Sequence, residues 1–412
     1  MVPLDLYGVV KYRAAALSCL RGGQLLFKNG FDDEMIRKEF FKSLRYPYLT
    51  NATPNKRHDG LNIARAVYAV DNNVLKTELN EKGNVTMRLS SLARMNGLDA
   101  SEAHSAVIDA SLVVEILKLI KKNQPYTWES ILRTSNKAET ENIIKKEKTF
   151  TLNEFFYGKS RLYLCSPLHP NACTHPVYQW GQAIDLRIDI KPLLDLSISD
   201  LKSEMKKTPK FLRTIRSNKA PVILDAKYGL KIEPYNQIDP IVLKERAEII
   251  KGNENFSKKI LTALREIAEE KQQLSSQEDI EAEESIYTKF SPNVDTVKFK
   301  QWHAASWKEK LNMLDKFQDQ RLVSFGKKII YQEAPEVLPE QMYKEIKRGI
   351  ASRILSQNIE KWWTVYALYN EVDNLRENDN QMFSFKNKEE KLNFLNGIND
   401  YVMSIEKKYM NA

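Results

Sequence analysis

Three side chains scattered through the first part of the sequence, Asp32, His104 and Asp109, are of the types that hydrolytic chemistry needs. Each lies at or near the start of a predicted helix. Cleaving a phosphodiester with two Mg²⁺ ions takes several carboxylate oxygens around the metals and a base to deprotonate the attacking water. Asp32 and Asp109 are candidate oxygen ligands, and His104 is a candidate base. Arg88, within Thr86-Met87-Arg88-Leu89, can hold a phosphate through its planar fork. The competing reading is plainer: a capped core helix with a partly solvated aspartate and a histidine on the surface.

The elements that must position these groups follow from periodicity. Ser105 is a good N-cap, because its hydroxyl can accept from a free backbone N–H of the first turn. Ala106, Ala110, Val113, Val114, Leu117 and Ile120 follow at helical spacing. Val107, Ile108, Leu112 and Ile116 fill most of the other faces, so the first three turns read as buried nearly all round. Asp109 is the carboxylate in that apolar cylinder and needs a cation, a donor or a proton. Upstream, Gln24–Lys28 reads as a short strand. The turn at Asn29–Glu34 leads into a basic amphipathic helix through about Leu44, with Asp32 or Asp33 as its cap and Met35, Phe40, Phe41 and Leu44 on its buried side. His58–Val70 predicts a second helix that carries Arg65 among apolar residues.

Farther on the texture changes. From Phe150 to about Ala226, short strand-like runs separated by prolines and polar turns read as a small mixed or barrel-like β domain. Arg246–Lys271 is helical in pattern, and the polar, acidic stretch Leu274–Ser285 reads as a linker. From Asp295 onward the pattern is helical, with segments at Val297–Phe317, about Pro339–Leu355, Ile359–Leu375 and Lys388–Tyr409.

Three further motifs weigh toward bland readings or balance against them. Cys165-x3-His169-x3-Cys173-x-His175 invites zinc, but the spacing matches none of the common patterns, and prolines surround it, as in an ordinary loop. Lys206, Lys207, Lys210, Arg213, Arg216 and Lys219 interleave with Phe211, Leu212 and Ile215. Such a strand can track a nucleic-acid backbone, or it can be an edge strand kept soluble by its charges. Trp362-Trp363 with Tyr366 reads as core more than as a base platform.

The 412 residues carry 63 Lys and Arg against 54 Asp and Glu, a formal charge of +9 with a pI near 9.1. This balance suits an anionic partner, nucleic acid first and a membrane surface second. Three cysteines argue against a disulfide framework and for a reducing compartment. The N-terminus is a poor signal peptide, and no apolar run reaches the length of a membrane span, so the expectation is a cytoplasmic protein.

Several phrases together resemble bacterial exodeoxyribonuclease I, a family of DEDDh 3′→5′ exonucleases. They are FDDE-x-x-R…YPY, HD-x-L…AR-x-x-YA, MRL-x-x-L-x-x-x-NG and AH-x-A-x-x-D, in that order, from Phe31 to Asp109. The run DIKPLLDL, the phrase NKAPVI and the helical tail extend the resemblance toward the end of the chain. The resemblance implies a multidomain α/β + β + α fold: a partial RNase H-like exonuclease domain over residues 1–122, an SH3-like domain over 126–284 and a helical C-terminal domain over 285–412. It implies that Asp32 is the acid of the second exonuclease motif, Asp109 the metal-binding acid of the third, and His104 the general base. Arg88 then contacts substrate beside the active site, and Arg37, Tyr48 and Arg65 fall where the family touches single-stranded DNA. The implied activity is Mg²⁺-dependent release of 5′-mononucleotides from the 3′ end of single-stranded DNA, in DNA repair and recombination. The implied partners are that DNA and the acidic tail of single-stranded-DNA-binding protein, with a monomer and no membrane association expected.

Two departures stand out. The family's first motif, Asp-x-Glu on an opening strand, has no counterpart before Phe31, which reads as truncation ahead of the second motif; Asp5 is a lone acid. The arginine-rich Tyr…Pro phrase of the helical domain reads Tyr331-Gln332-Glu333-Ala334-Pro335 here. With two carboxylates gone, a metal loses ligands and the attacking water loses its activator. Little or no nuclease activity is therefore expected of this chain, whose alternative role is that of a non-catalytic single-stranded-DNA-binding fragment.

Overall fold

The computed structural model describes residues 24–26, 29–51, 56–101, 106–274, 280–377, 385 and 387–412. They fall into two compact units. One takes in Tyr48–Ile280 and the segment ending at Ile36; the other takes in Arg37–Pro47 and the chain from Glu281 onward. Among the described residues, no helix is long and apolar enough to cross a membrane.

The first unit is built on a five-stranded antiparallel sheet, in the order Leu212–Ile215, Gly181–Asp185, Lys159–Pro167, Phe150–Phe156, Val222–Asp225. Its strands are β3 (Phe150–Phe156), β4 (Lys159–Pro167), β5 (Gly181–Asp185), β6 (Leu212–Ile215) and β7 (Val222–Asp225). The β3–β4 connection is a two-residue turn, Tyr157-Gly158, with positive φ at both residues (51° and 76°). That is the twist a tight hairpin demands, and glycine supplies it without steric cost. The run Val222-Ile223-Leu224 is apolar throughout, and the structure shows why. Ile223 faces the core formed with Phe150, Leu164, Leu243 and Phe256, while Val222 and Leu224 face the core formed with Ile63, Val67, Ile116 and Ile120. A continuous apolar strand is one buried on both sides. Helices Gly60–Val70 and Ala106–Asn123 supply the second core, and helices Pro240–Gly252 and Glu254–Leu274 the first.

A two-stranded parallel sheet, β1 (Gln24–Leu26) with β2 (Arg57–Asp59), stands apart from the larger one. His58, expected to open a helix, sits in β2; the helix begins at Gly60 with Asp59 as its N-cap, whose side chain accepts from the Asn62 N–H at 2.9 Å. The helix expected to follow Asn29–Glu34 already begins at Asn29 and runs to Lys42, so Asp32 and Asp33 lie within it rather than capping it. Met35, expected on its buried side, is exposed, whereas Phe40, Phe41 and Leu44 are buried.

The largest correction concerns the helix Ala106–Asn123. Leu112, Val113, Ile116, Leu117 and Ile120 are buried as expected, but Val107 is 73% exposed and Ala110 is exposed. The all-round burial predicted for its first turns is absent. Apolar residues register a capacity for burial, and among the described residues that capacity is not used at Val107 and Ala110.

The second unit packs Phe41, Phe299, Trp302, Phe317 and Phe325 together. Its longer helices are Gln320–Glu333, Glu340–Ile354, Val365–Glu377 and Lys388–Tyr409. Residues 359–364, expected to be helical, precede the Val365 helix instead of belonging to it. Part of the expected acidic linker is tied down: Glu283 is half-buried and pairs with Lys328 at 2.5 Å and Arg353 at 3.1 Å.

Candidate nucleic-acid interface

Asp109 lies in the first turn of the Ala106–Asn123 helix and is half-buried. A carboxylate there is favoured by the helix dipole. Asp32 lies in the Asn29–Lys42 helix, and its side chain is outside the described residues, as are His104 and Ser105. Among the described residues, no group of three or more His, Cys, Asp or Glu is placed to hold a metal.

The neighbouring acid, Asp33, is fully described and is committed to structure. It is 2% exposed, accepts from the Thr50 hydroxyl at 2.6 Å and pairs with the Arg57 guanidinium. Arg57 also donates to the Asn218 carbonyl, and its backbone N–H donates to the Ser135 carbonyl at 3.1 Å. Asp33 is thus a tie between segments far apart in sequence, with its charge neutralised. By sequence either Asp32 or Asp33 can cap the helix; the signal that separates them is the 3.6-residue period, which turns adjacent residues to different faces. Next to Arg57, His58 is 5% exposed, and its pKa is lowered to about 4, chiefly by burial. It is a neutral core group.

The arginines divide. Arg88 is exposed and immediately precedes the Leu89–Met95 helix, without capping it through its side chain. Arg37 is buried, and its Nη1 donates to the Tyr287 hydroxyl at 2.8 Å; this is packing within the second unit, where an open, strand-facing group was expected. Tyr48 is half-buried. Arg65 is half-buried on the Gly60–Val70 helix, and its guanidinium lies 3.6 Å from the centroid of the Phe155 ring. Burial lowers its pKa, and the Asp59 charge opposes that. A partly desolvated guanidinium over a ring is an attractive contact in its own right.

Phe155 belongs to the β3–β4 hairpin, whose tip the sequence presents as Phe155-Phe156-Tyr157-Gly158-Lys159. Phe155 and Phe156 are each about two-fifths exposed, and Tyr157 is 95% exposed. Three aromatics at a glycine turn are a surface feature that strand periodicity alone passes over. Arg161 secures the tip by donating to the Phe156 carbonyl at 2.6 Å. Arg65 and Phe155 therefore form an arginine–aromatic contact beside the exposed hairpin tip.

The basic run splits as well. Arg213 points inward, within 2.9 Å of Glu154 and 3.2 Å of the fully buried Asp185, with its guanidinium 3.6 Å over Tyr163. Tyr235 donates to Asp185 at 2.6 Å, and Arg187 lies 2.9 Å from it. The expected strand is real, β6 lies at the sheet edge, and its central arginine serves the core. In the Cys/His segment, burial pushes the Cys165 thiol up, His169 Nδ1 accepts from the Asn171 N–H, and His175 Nδ1 accepts from the Val177 and Tyr178 N–H groups. Trp362 donates to the Arg353 carbonyl at 2.9 Å, and Trp363 is about half exposed.

No family model matches the chain. It is 28% identical over 248 residues to exodeoxyribonuclease I of Buchnera aphidicola subsp. Acyrthosiphon pisum, covering 56% of this chain and 57% of the relative. With exodeoxyribonuclease I of Haemophilus influenzae the identity is 27% over 282 residues, covering 64% and 58%. The Escherichia coli K12 relative is 27% identical over 211 residues, covering 48% and 43%. The chain thus spans about half the length of the curated relatives it matches. Among solved structures, E. coli exonuclease I in complex with a dA16 oligonucleotide superposes with a TM-score of 0.71 at 20% identity, covering 96% of this chain and 84% of that one. Exonuclease I from Methylocaldum szegediense gives 0.71 at 20% identity, covering 92% and 79%, and an ExoI/SSB-Ct complex gives 0.70 at 20%, covering 96% and 83%. The mixed helix-and-sheet fold is shared over most of the chain, and the resemblance to bacterial exodeoxyribonuclease I is borne out.

Proposed function

We propose that this exodeoxyribonuclease I-like chain binds the 3′ end of single-stranded DNA, with a 3′→5′ exonuclease lineage. What carries the reading is the shared sequence taken together with the exposed Arg88 and the Arg65–Phe155 contact beside the exposed hairpin tip. Arginines neutralise phosphates, and exposed rings stack on bases of any sequence. In this reading Arg65 and the hairpin tip hold the strand, and Arg88 holds a phosphate. Tyr48 is a further contact, and Arg37 acts only by supporting its surroundings.

His104 is the group that takes a proton from water, and Asp32 and Asp109 are the oxygen donors. Mg²⁺ suits such a set, since it is usually held by one or two carboxylates plus waters and phosphate oxygens. When bound it would polarise the scissile phosphate and lower the pKa of water. Asp33, spent on Arg57 and Thr50, is not a substitute ligand. The acidic tail of single-stranded-DNA-binding protein is the proposed protein partner, by analogy with the ExoI/SSB-Ct complex. The three-part domain division and a cytoplasmic, monomeric state belong to the same reading.

The test is fluorescence anisotropy with labelled oligo-dT, beside Mg²⁺-dependent mononucleotide release. Binding that weakens as salt rises is the expected result, and mononucleotide release reports whether Asp32, His104 and Asp109 act on the bound strand. An absence of binding overturns the DNA reading.

A further inference from the structure

The segment His175–Trp180, between β4 and β5, is a closed loop. The His175 N–H donates to the Trp180 carbonyl at 2.8 Å, and the Gln179 N–H donates to the His175 carbonyl at 3.0 Å. The His175 ring closes it from within, as its Nδ1 accepts from the Val177 and Tyr178 N–H groups at 3.1 and 3.3 Å. Its aromatic side chains therefore hang from a backbone that is already ordered, which lowers the cost of binding.

Those side chains form a ladder. The Tyr178 and Trp180 rings stack with centroids 4.7 Å apart and planes 24° apart. His175 lies 4.7 Å from Tyr178, and the Arg216 guanidinium lies 4.8 Å from the Trp180 centroid. Sheet register explains the last contact: Gly181 pairs with Ile215, so Trp180 and Arg216 are neighbours at the end of that pairing. Alternation along β6 buries Arg213 and Ile215 and leaves Thr214 and Arg216 exposed. Tyr178 is 43% exposed.

The two segments that carry the ladder contain no acidic residue from Pro170 to Ile184 or from Met205 to Leu224, although Lys210 lies within electrostatic reach of Glu154 and Lys206 of Glu270. The second segment carries six cations. Lys207, Arg213 and Lys219 are engaged by Glu204, by Glu154 with Asp185, and by Glu34. Lys206, Lys210 and Arg216 are exposed, with no ion pair among the described residues. A ready-stacked ladder in a positive field fits a ligand that is both anionic and planar.

We propose that the Tyr178–Trp180–Arg216 ladder is a stacking platform for the bases of a single-stranded nucleic acid, separate from the arginine–aromatic contact beside the β3–β4 turn. The proposal rests on the single-strand reading above and adds a second contact to it. The outward plane of Arg216 and the exposed part of Tyr178 take bases, and Lys206 and Lys210 contribute to the field that attracts phosphates. An acidic peptide would use the cations but not the planar faces.

The test uses the full chain, with anisotropy of labelled oligo-dT and photo-crosslinking of an oligonucleotide bearing iodo-deoxyuridine. Trp180→Ala and Arg216→Ala are each expected to weaken binding about tenfold, and Trp180→Phe to keep it close to the unaltered chain. The crosslink is expected in the peptide that contains Tyr178 and Trp180. Unchanged affinities, with crosslinks elsewhere, overturn the platform and leave the single-strand reading standing. An unaltered chain that binds no oligonucleotide overturns both. Crosslinking needs no variant, so a misfolded substitution cannot decide the outcome. An acidic peptide whose binding depends on Trp180, with the oligonucleotide crosslinked elsewhere, assigns the platform to a protein and overturns the proposal.

Discussion

A single histidine sets a pH limit that runs opposite to the usual expectation for a surface imidazole. His58 is buried, and its folded pKa is lowered to about 4 from 6.5. The unfolded chain binds the proton as pH falls through 6.5, and the folded chain does so only near 4. Stability from this group is full above 6.5 and declines as pH drops toward 4, by about 3 kcal/mol over that window. Urea melts from pH 7 to pH 4.5 should lose stability faster for the natural chain than for His58→Phe. Parallel curves would show that His58 is not the group responsible. At another single position, Gly326 sits in the helix Gln320–Glu333, where a Cβ would come within 2.5 Å of Leu314 and 3.0 Å of Trp302. Alanine ordinarily favours a helix over glycine. Here overpacking wins, and Gly326→Ala should cost about 1–3 kcal/mol in thermal or urea denaturation.

The β3–β4 hairpin shows how an element separates stability from binding. Tyr157 occupies a left-handed position, φ 51°, that asparagine tolerates better, and its ring is almost wholly in solvent. Tyr157→Asn should therefore raise stability slightly, by about 0.5–1 kcal/mol, while weakening oligo-dT affinity about fivefold. A variant that loses stability, or binds as well as before, contradicts the role given to the tip. The hairpin also marks what the sequence could show. The strand-like runs on either side of the glycine turn make its existence legible, as the helices Glu340–Ile354, Val365–Glu377 and Lys388–Tyr409 are from their apolar spacing. The helix Gln320–Glu333 is not read from the sequence, and the stretch Val297–Phe317, expected as one helix, is broken into short ones. The inward turn of Arg213 was not legible, because a lysine-rich run looks the same whether its central arginine meets solvent or meets Glu154 and Asp185 from other strands. The exposed start of the Ala106–Asn123 helix was hidden for a related reason: apolar residues register a capacity for burial, and whether a partner covers them depends on the rest of the chain. In the candidate site, Asp109 lies near the helix start that local pattern assigns it, whereas the helix Leu89–Met95 behind Arg88 is not read from the sequence. The Arg65–Phe155 contact joins residues ninety positions apart and needed the fold.

Across the whole molecule, the formal charge of +9 makes attraction to a polyanion general, so affinity alone cannot separate specific contact from diffuse attraction. Salt can. Each phosphate neutralised on a single strand contributes a slope of roughly −0.7 to log K against log salt, whereas a stacked base changes the intercept and leaves the slope nearly untouched. Arg88 is exposed and assigned to a phosphate, so Arg88→Ala should reduce the slope by about 0.7. Phe156 is exposed and uncharged, so Phe156→Ala should keep the slope and weaken binding by about fivefold or more at every salt concentration. Anisotropy titrations of oligo-dT across a salt series measure both quantities in one experiment. If both substitutions moved slope and intercept in the same proportion, the strand would be held by diffuse charge rather than by a surface with assigned places for phosphate and base, and the basic composition would be the whole of the recognition.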